Sequence, residues 1–212
     1  MAITQNPIVG RARGKVSNNV FTTWKGLNVW KAKPITVSNP QTDGQLKQRS
    51  KFSILVAIAS QLLAIVRIGF KEQAIGKTEV NAFNSTNQLN KYLNWTGNDW
   101  TPDPSKLQIS KGSLGDTVVT PTTPINGSSS ITITYPNTAT GAQSLGDKIM
   151  VYVESDETSK ILIGNKTRQD GSIVVNMDVP FTSGDIVNVY TFFQSVDGRK
   201  VSNNTYNSYT VL

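Results

Sequence analysis

Polar and apolar residues near the N-terminus follow the pattern of a β-hairpin. A first strand is predicted from Val16 to Trp24 and a second from Leu27 to Lys33, with Lys25-Gly26 between them. A two-residue connection that contains glycine is typical of a tight turn, because glycine adopts positive φ easily. Successive strand residues point to opposite faces, so Trp24 and Phe21 fall on different faces. Neither face is purely polar, and the hairpin is therefore expected to pack on both sides.

The apolar period changes to that of a helix after this hairpin. A long helix is predicted over residues 43–67, with Thr42 and Gln45 placed to cap its start and Gly69 placed to end it. A second, shorter helix is predicted over residues 80–93, although its high asparagine content disfavours helix formation. The segment between the hairpin and the second helix is thus mainly helical.

The C-terminal half has a different pattern. Pro102 and Pro104 break the helical period, which places a domain boundary at 105/106. Turn signals then separate seven short alternating runs, which argue for an immunoglobulin-like or fibronectin-type sandwich. The runs are Val118-Val119, Ser130–Tyr135, Lys148–Glu154, Lys160–Ile163, Ser172–Val179, Asp185–Phe193 and Tyr206–Leu212. Residues 187–202 resemble the penultimate strand and final hairpin of a fibronectin-type module.

These elements predict an α+β protein in two parts. Residues 1–105 would form a basic docking module made of a β-hairpin with one long and one shorter helix. Residues 106–212 would form the immunoglobulin-like β-sandwich.

The composition argues against most enzyme classes. The chain contains no cysteine and no histidine, which removes thiolate nucleophiles, the commonest general base and the commonest zinc ligands. The string Gly76-Lys77-Thr78 lacks the upstream glycine of a phosphate-binding loop, since position 71 is lysine, so Thr78 is read as a helix cap. Most acidic residues fall at predicted turns, without the spacing of a calcium loop. We therefore predict a protein that is not an enzyme and has no cofactor and no metal site.

The charge is concentrated in the N-terminal half. Residues 1–105 hold 13 Lys and Arg against 5 acids, whereas residues 106–212 hold 8 against 9. Cations interleaved with tryptophans suit an anionic partner, either nucleic acid or an acidic protein. The alternative is that the tryptophans are core residues and the lysines only keep the domain soluble. The predicted docking residues are Arg11, Arg13, Lys15, Trp24, Lys25, Trp30, Lys31, Lys33, Lys47 and Arg49.

Two further expectations concern the location and the surface of the protein. The sequence from Met1 shows no secretory signal, so synthesis in a cytoplasm is expected. The most apolar run, Ile54–Val66, is too short for the roughly 20 residues of a membrane span and is predicted to be a core helix. An adhesive, carbohydrate-binding function would instead be indicated by exposed Tyr206, Tyr209 or Phe181 on the C-terminal module.

Several segments along the chain together form a distinctive pattern: 14–21, 31–34 and 38–42, then Gln45, Gln48, Arg49 and Phe52, and finally 69–70 and 109–114. With these segments, most of the chain resembles an uncharacterised family found in Bacteroidetes and in their tailed phages. The family implies no known activity. The Asn-Pro-x-Thr phrase at 39–42, followed by Gln and Arg on a helix, also resembles segments of phage structural proteins.

The sequence thus predicts a non-enzymatic virion structural protein, such as a ring, connector or head or tail decoration. It would bind other virion proteins and copies of itself through the basic module, with possible nucleic-acid contact and no membrane contact. The alternatives are a cytoplasmic nucleic-acid-binding protein and an adhesive carbohydrate-binding module.

Overall fold

The protein is an α+β protein built from antiparallel sheets and helices. The computed structural model describes residues 2–4, 13–24, 26–36, 39–89 and 91–212. Its contacts divide the chain into two compact units, residues 1–47 and residues 48–212. The sequence-based boundary at 105/106 therefore falls inside the second unit.

The first unit contains a four-stranded antiparallel sheet in the order β1-β4-β3-β2. The predicted hairpin turn is confirmed, since Trp24 pairs with Leu27 across it and Gly26 has a φ of +81°. The first predicted strand, Val16–Trp24, is wrong at its start, because a turn separates Val16 from a strand that begins only at Asn19. The sheet extends the hairpin by one short strand on each side. Its strands are β1 (Ala2–Thr4), β2 (Gly14–Val16), β3 (Asn19–Trp24) and β4 (Leu27–Ala32).

The single long helix predicted over residues 43–67 is wrong. The chain forms α1 (Asp43–Gln61) and α2 (Leu63–Gly69), which are bent by 91° at the break between them. Next to this break, the Ser60 hydroxyl donates a 2.9 Å hydrogen bond to the Val56 carbonyl, a type of contact that often accompanies bends in helices. No single helix among the described residues is long and apolar enough to cross a membrane; only α1 and α2 together meet those requirements.

The second predicted helix is present but shorter than expected. Helix α3 spans Glu79–Leu89, and Tyr92 follows it in a loop. Its start confirms the capping role of Thr78, whose hydroxyl accepts a 3.2 Å hydrogen bond from the backbone N–H of Asn81. Phe83 is fully buried, whereas Leu89 at the end of the helix is 78% exposed.

Six of the seven predicted C-terminal strands form, five of them with shifted ends. The prediction of a strand at Val118-Val119 is wrong, since the chain pairs instead at the next two residues, Thr120–Pro121. The strands make a four-stranded antiparallel sheet, β10-β9-β12-β13, and a three-stranded one, β11-β8-β7. Before them comes a hairpin that sequence reasoning missed, β5 (Leu93–Trp95) with β6 (Trp100–Pro102). The strands are β7 (Thr120–Pro121), β8 (Ser130–Thr134), β9 (Lys148–Glu154), β10 (Ser159–Thr167), β11 (Ser172–Asn176), β12 (Ile186–Gln194) and β13 (Thr205–Thr210).

The four-stranded sheet of the second unit is buried on both faces. On one face, Val151 of β9 and Val189 of β12 pack with residues of β8 and β11 in one hydrophobic cluster. On the other face, Tyr152 of β9 and Tyr190 of β12 pack with residues of the helices in a second cluster. Alternate residues of the same strands thus serve two cores. This shared packing explains why helices and sheets belong to one unit and why the chain does not divide at residue 105.

A charged pair lies inside this unit. The side chains of Arg168 and Asp147 are each 1% exposed, with Arg168 Nε 3.7 Å from Asp147 Oδ2. Arg168 Nη1 also donates a 2.9 Å hydrogen bond to the Thr117 hydroxyl, and its guanidinium lies 4.1 Å from the centre of the Phe193 ring. Burial lowers the pKa of Arg168, and the Asp147 carboxylate offsets part of that shift.

Buried tyrosines make the fold sensitive to alkaline pH. Burial raises the pKa of Tyr135 from 10.0 to about 12, and its hydroxyl donates a 3.1 Å hydrogen bond to the Thr167 carbonyl. Because the pKa is raised in the folded state, its stabilising contribution is complete below pH 10 and is lost as the pH rises through about 12.

We expect Tyr135→Phe to lower the stability less at pH 11.5 than at pH 8, because the variant has no phenol to ionise at this position. Urea unfolding at the two pH values measures the difference. The control is Tyr209→Phe, which removes a partly exposed phenol. An equal loss of unfolding free energy for Tyr135→Phe at both pH values would contradict the proposed link between Tyr135 ionisation and stability.

Candidate docking surface

The sheet of the first unit has two chemically different faces. The strand register pairs Lys15 with Val20 and Val20 with Lys31, so these three side chains share a face. Alternation along β3 and β4 assigns the other side chains to one face or the other. We call one the cationic face; it comprises Lys15, Val20, Thr22, Trp24, Leu27, Val29 and Lys31. The other, the neutral face, comprises Val16, Asn19, Phe21, Thr23, Asn28, Trp30 and Ala32.

The neutral face is organised by two aromatic rings. Phe21 and Trp30 are directly opposite in the register, and their rings stack with centroids 5.6 Å apart and planes 17° apart. Cross-strand aromatic pairs of this kind stabilise a sheet by about 0.2–1 kcal/mol. The pair holds the hairpin together even though Trp30 remains 45% exposed.

No described side chain from residue 13 to residue 36 is buried. Trp24 is 59% exposed and Val16 is 62% exposed, on opposite faces of the sheet. A small sheet normally needs a hydrophobic face packed on another layer to be stable in water. Apolar side chains on both faces of this sheet therefore form a surface suited to burial by a partner.

The structure describes eight of the ten predicted docking residues, and these eight do not share one face of the sheet. Lys15, Lys31 and Trp24 lie together on the cationic face, whereas Trp30 lies on the neutral face. The remaining cations flank the sheet or lie on α1, and two of the predicted residues are outside the described ranges. Arg13 and Lys33 are exposed beside the strands, Lys47 and Arg49 are on α1, and Arg11 and Lys25 are not among the described residues.

The chain has a defined family. A family model described as "Family of unknown function (DUF6266)" matches residues 11–208. The protein belongs to this family. The match includes the first-unit strands β2, β3 and β4 as well as nearly all of the second unit, so both units are parts of one conserved sequence pattern. A comparison with curated proteins finds no match.

This DUF6266 member has a further aromatic surface that sequence reasoning missed. Trp95 and Trp100 face each other across the β5–β6 hairpin, with ring centroids 5.2 Å apart. Trp100 Nε1 donates a 3.2 Å hydrogen bond to the Ser50 hydroxyl, and Lys51 Nζ lies 5.1 Å from the centre of the Trp100 ring. The two tryptophans flanking Thr96-Gly97-Asn98-Asp99 were the available signal for this hairpin.

A shallow depression lies on α1 of the same unit. It is lined by Gln48, Arg49, Phe52, Ser53 and Val56, and the Phe52 ring is 49% exposed. Phe52 fits the same helical period as Leu55 and Ala59, but it lies on the outer side of the helix, whereas Leu55 and Ala59 are fully buried.

Two expectations about other sites can be compared with the structure. Phe181, proposed as a cue for carbohydrate binding, is only 2% exposed and belongs to the core between the sheets, so that cue is wrong. Tyr206 is half-buried, and its hydroxyl donates a 2.8 Å hydrogen bond to Asn188 Oδ1. Among the described residues, no three His, Cys, Asp or Glu side chains converge in a way that could hold a metal ion.

Proposed function

We propose that this protein is a non-enzymatic structural component of a virion, in the form of a ring, a connector or a head or tail decoration. It docks through its basic N-terminal sheet on other virion proteins and on copies of itself. It is made in the host cytoplasm and ends in the particle. The observation that carries the proposal is the first-unit sheet, which exposes apolar side chains on both faces and has no buried side chain in its described part.

The charge of this sheet supports docking on an anionic surface. Residues 13–42 contain cations but no aspartate or glutamate; the first acid of the chain is Asp43. Lys15 and Lys31 flank Val20 on the cationic face, so charge and apolar area are presented together. A partner that offers both carboxylates and apolar side chains would match this face better than a purely polar surface.

In this proposal the C-terminal half acts as an immunoglobulin-like sandwich. Support comes from the two antiparallel sheets that share the cluster containing Ile133, Val151 and Val175. The absence of histidine and cysteine from the sequence favours an assembly role over hydrolytic chemistry. Many identical copies would turn individually weak contacts into stable attachment.

The test is incorporation into particles. We expect the Lys15→Glu/Lys31→Glu variant to reduce copies per particle by at least about tenfold, because like charges would oppose an acidic partner. The measurement is quantitative mass spectrometry of gradient-purified particles from cells that supply the variant. Lys111→Glu/Lys148→Glu, which changes two exposed lysines of the second unit, is the matched control. Unsubstituted protein that never sediments with particles would overturn the proposal.

Nucleic-acid binding is the second candidate, and one observation favours it. Trp24 shares the cationic face with Lys15 and Lys31, which combines a stacking surface with phosphate-binding cations. Binding to DNA or RNA that weakens steeply as salt rises would support this alternative. Incorporation into particles after nuclease treatment would instead support the structural role.

A further inference from the structure

The second unit has an acidic end. The β9–β10 turn, the β11–β12 loop, the loop before β8 and the last residues of the chain are held together by hydrogen bonds. Gly127 N donates to the Phe181 carbonyl at 2.9 Å, Gly184 N to the Val211 carbonyl at 3.0 Å, and Ile186 N to Asp156 Oδ2 at 3.4 Å. We define the acidic end as residues 124–129, 154–160, 177–186 and 210–212.

The charge of this end is opposite to that of the cationic face. Its segments carry five carboxylates and one ammonium group, Lys160, which pairs with Asp178 at 2.7 Å. Asp156 and Glu157 are exposed at the tip of the β9–β10 turn. The carboxylates are those of Glu154, Asp156, Glu157, Asp178 and Asp185.

The acidic end also exposes apolar side chains. Ile125 is 66% exposed, Ile186 is 50% exposed and Val179 is 38% exposed. These residues lie in the segments joined by the hydrogen bonds above, so acids and apolar groups occupy the same end of the unit. Apolar area beside charge of the opposite sign is what the cationic face requires of a partner.

We infer that the cationic face of one copy docks on the acidic end of a second copy. This inference rests on the proposed function and names the partner for that contact. Nucleic acid would satisfy Lys15 and Lys31 but would leave Val20 and Val29 without apolar partners, whereas the acidic end supplies both kinds of contact. A second copy is therefore the better match.

The two surfaces are different, so the contact is heterologous. Each copy offers one cationic face and one acidic end, and each contact leaves one of each free. Heterologous contacts of this kind build rings when the rotation closes and filaments when it does not. The inference thus explains how one chain could form the symmetric assembly that the proposed function requires.

Two charge-reversed variants test the contact by complementation. Variant A is Lys15→Glu/Lys31→Glu, which leaves an acidic face and an acidic end. Variant B is Asp156→Lys/Glu157→Lys, which leaves a cationic face and a less acidic end that now carries lysines. Each variant alone is expected to self-associate at least about tenfold more weakly than the unsubstituted chain, since like charges meet at the contact. Mixed together, A and B are expected to recover assembly with equal numbers of the two chains.

The measurements are sedimentation velocity and native mass spectrometry of full-length, nuclease-treated protein at low salt. Thermal unfolding of each variant shows whether it retains the native fold. The matched control is Asp99→Lys/Asp116→Lys, which reverses two exposed acids outside the acidic end and is expected to assemble like the unsubstituted chain.

A mixture of A and B that remains monomeric would overturn the inference, as would full self-association of B alone. These failures are distinguishable from failure of the proposed function. If B enters particles normally while A does not, the cationic face docks on another particle protein, so the function stands and the self-docking contact does not. If neither the variants nor the unsubstituted chain enters particles, the proposed function itself fails.

Discussion

Asp147→Ala is expected to lower the free energy of unfolding by about 3–5 kcal/mol, because it leaves a buried guanidinium without its carboxylate. Asp147 and Arg168 are almost fully buried, and within the described residues Arg168 Nε and Nη2 have no hydrogen-bond acceptor. The charge of Arg168 is thus compensated mainly by Asp147 and by the Phe193 ring. Urea unfolding of the purified chain measures the loss.

Two variants show whether this loss comes from the buried charge. Lys160→Ala breaks the ion pair between Lys160 and Asp178, whose side chains are 34% and 66% exposed, respectively. It should lower the free energy of unfolding by at most about 1 kcal/mol, because exposed ion pairs contribute little. Asp147→Asn removes the negative charge but keeps an oxygen that can accept the 2.8 Å hydrogen bond from Ser144 N. Its loss of stability therefore measures the effect of the charge apart from that of this hydrogen bond. If Asp147→Ala lowers the free energy of unfolding no more than Lys160→Ala does, Asp147 does not compensate a buried charge on Arg168.

Gly69→Ala is expected to destabilise the second unit by about 1–3 kcal/mol or more through overpacking. A Cβ on Gly69 would overlap the carbonyl oxygen of Ile109 and lie 2.9 Å from Ser110 Cβ. The obstacle is mainly backbone, which cannot rotate away as a long side chain can. The Gly69 carbonyl also accepts a 3.0 Å hydrogen bond from Lys111 N, which fixes this strand-like segment against α2.

Gly44→Ala is the matched control, since Gly44 also lies in a helix and an added Cβ there meets no atom within 4 Å. It should stabilise the protein slightly, by about 0.4–1 kcal/mol, because alanine reduces the freedom of the unfolded chain. Thermal and urea unfolding of both variants gives the comparison. Equal effects for the two glycines would contradict the close approach of α2 to residues 109–110.

Gly69 also shows the limit of reasoning from local sequence. Its position after an apolar period predicts a glycine C-cap beyond the helix, but this prediction is wrong, because Gly69 is the last residue of α2 and the cap residue is Phe70. The structure gives a different reason for glycine at this position, because the backbone of residues 109–110 approaches it closely. A contact between residues about forty positions apart leaves no local pattern in the sequence.

The features of the candidate docking surface were predicted only in part, because the local sequence shows residue types but not which distant segments meet. Cations and tryptophans near the N-terminus were visible in the sequence, and alternation correctly placed Trp24 and Phe21 on opposite faces. The hairpin of Trp95 and Trp100 was missed because the prolines after it were read as a break between domains. The exposed position of Phe52 could not be predicted either, since its spacing also fits the buried side of α1.

The sequence by itself determined many of the local elements: the turn between Trp24 and Leu27, the start of α1 at Asp43 and six of the C-terminal strands follow from periodicity and turn residues. Only the tertiary structure decided which layers those elements share. Strands β9 and β12 alternate between two cores because helices cover one face of their sheet and β8 and β11 cover the other. Arg168 is buried for the same reason, since its guanidinium packs on the ring of Phe193, a residue of the core between the sheets. Burial depends on which distant segments pack together, and one strand's pattern records only that both of its faces are apolar.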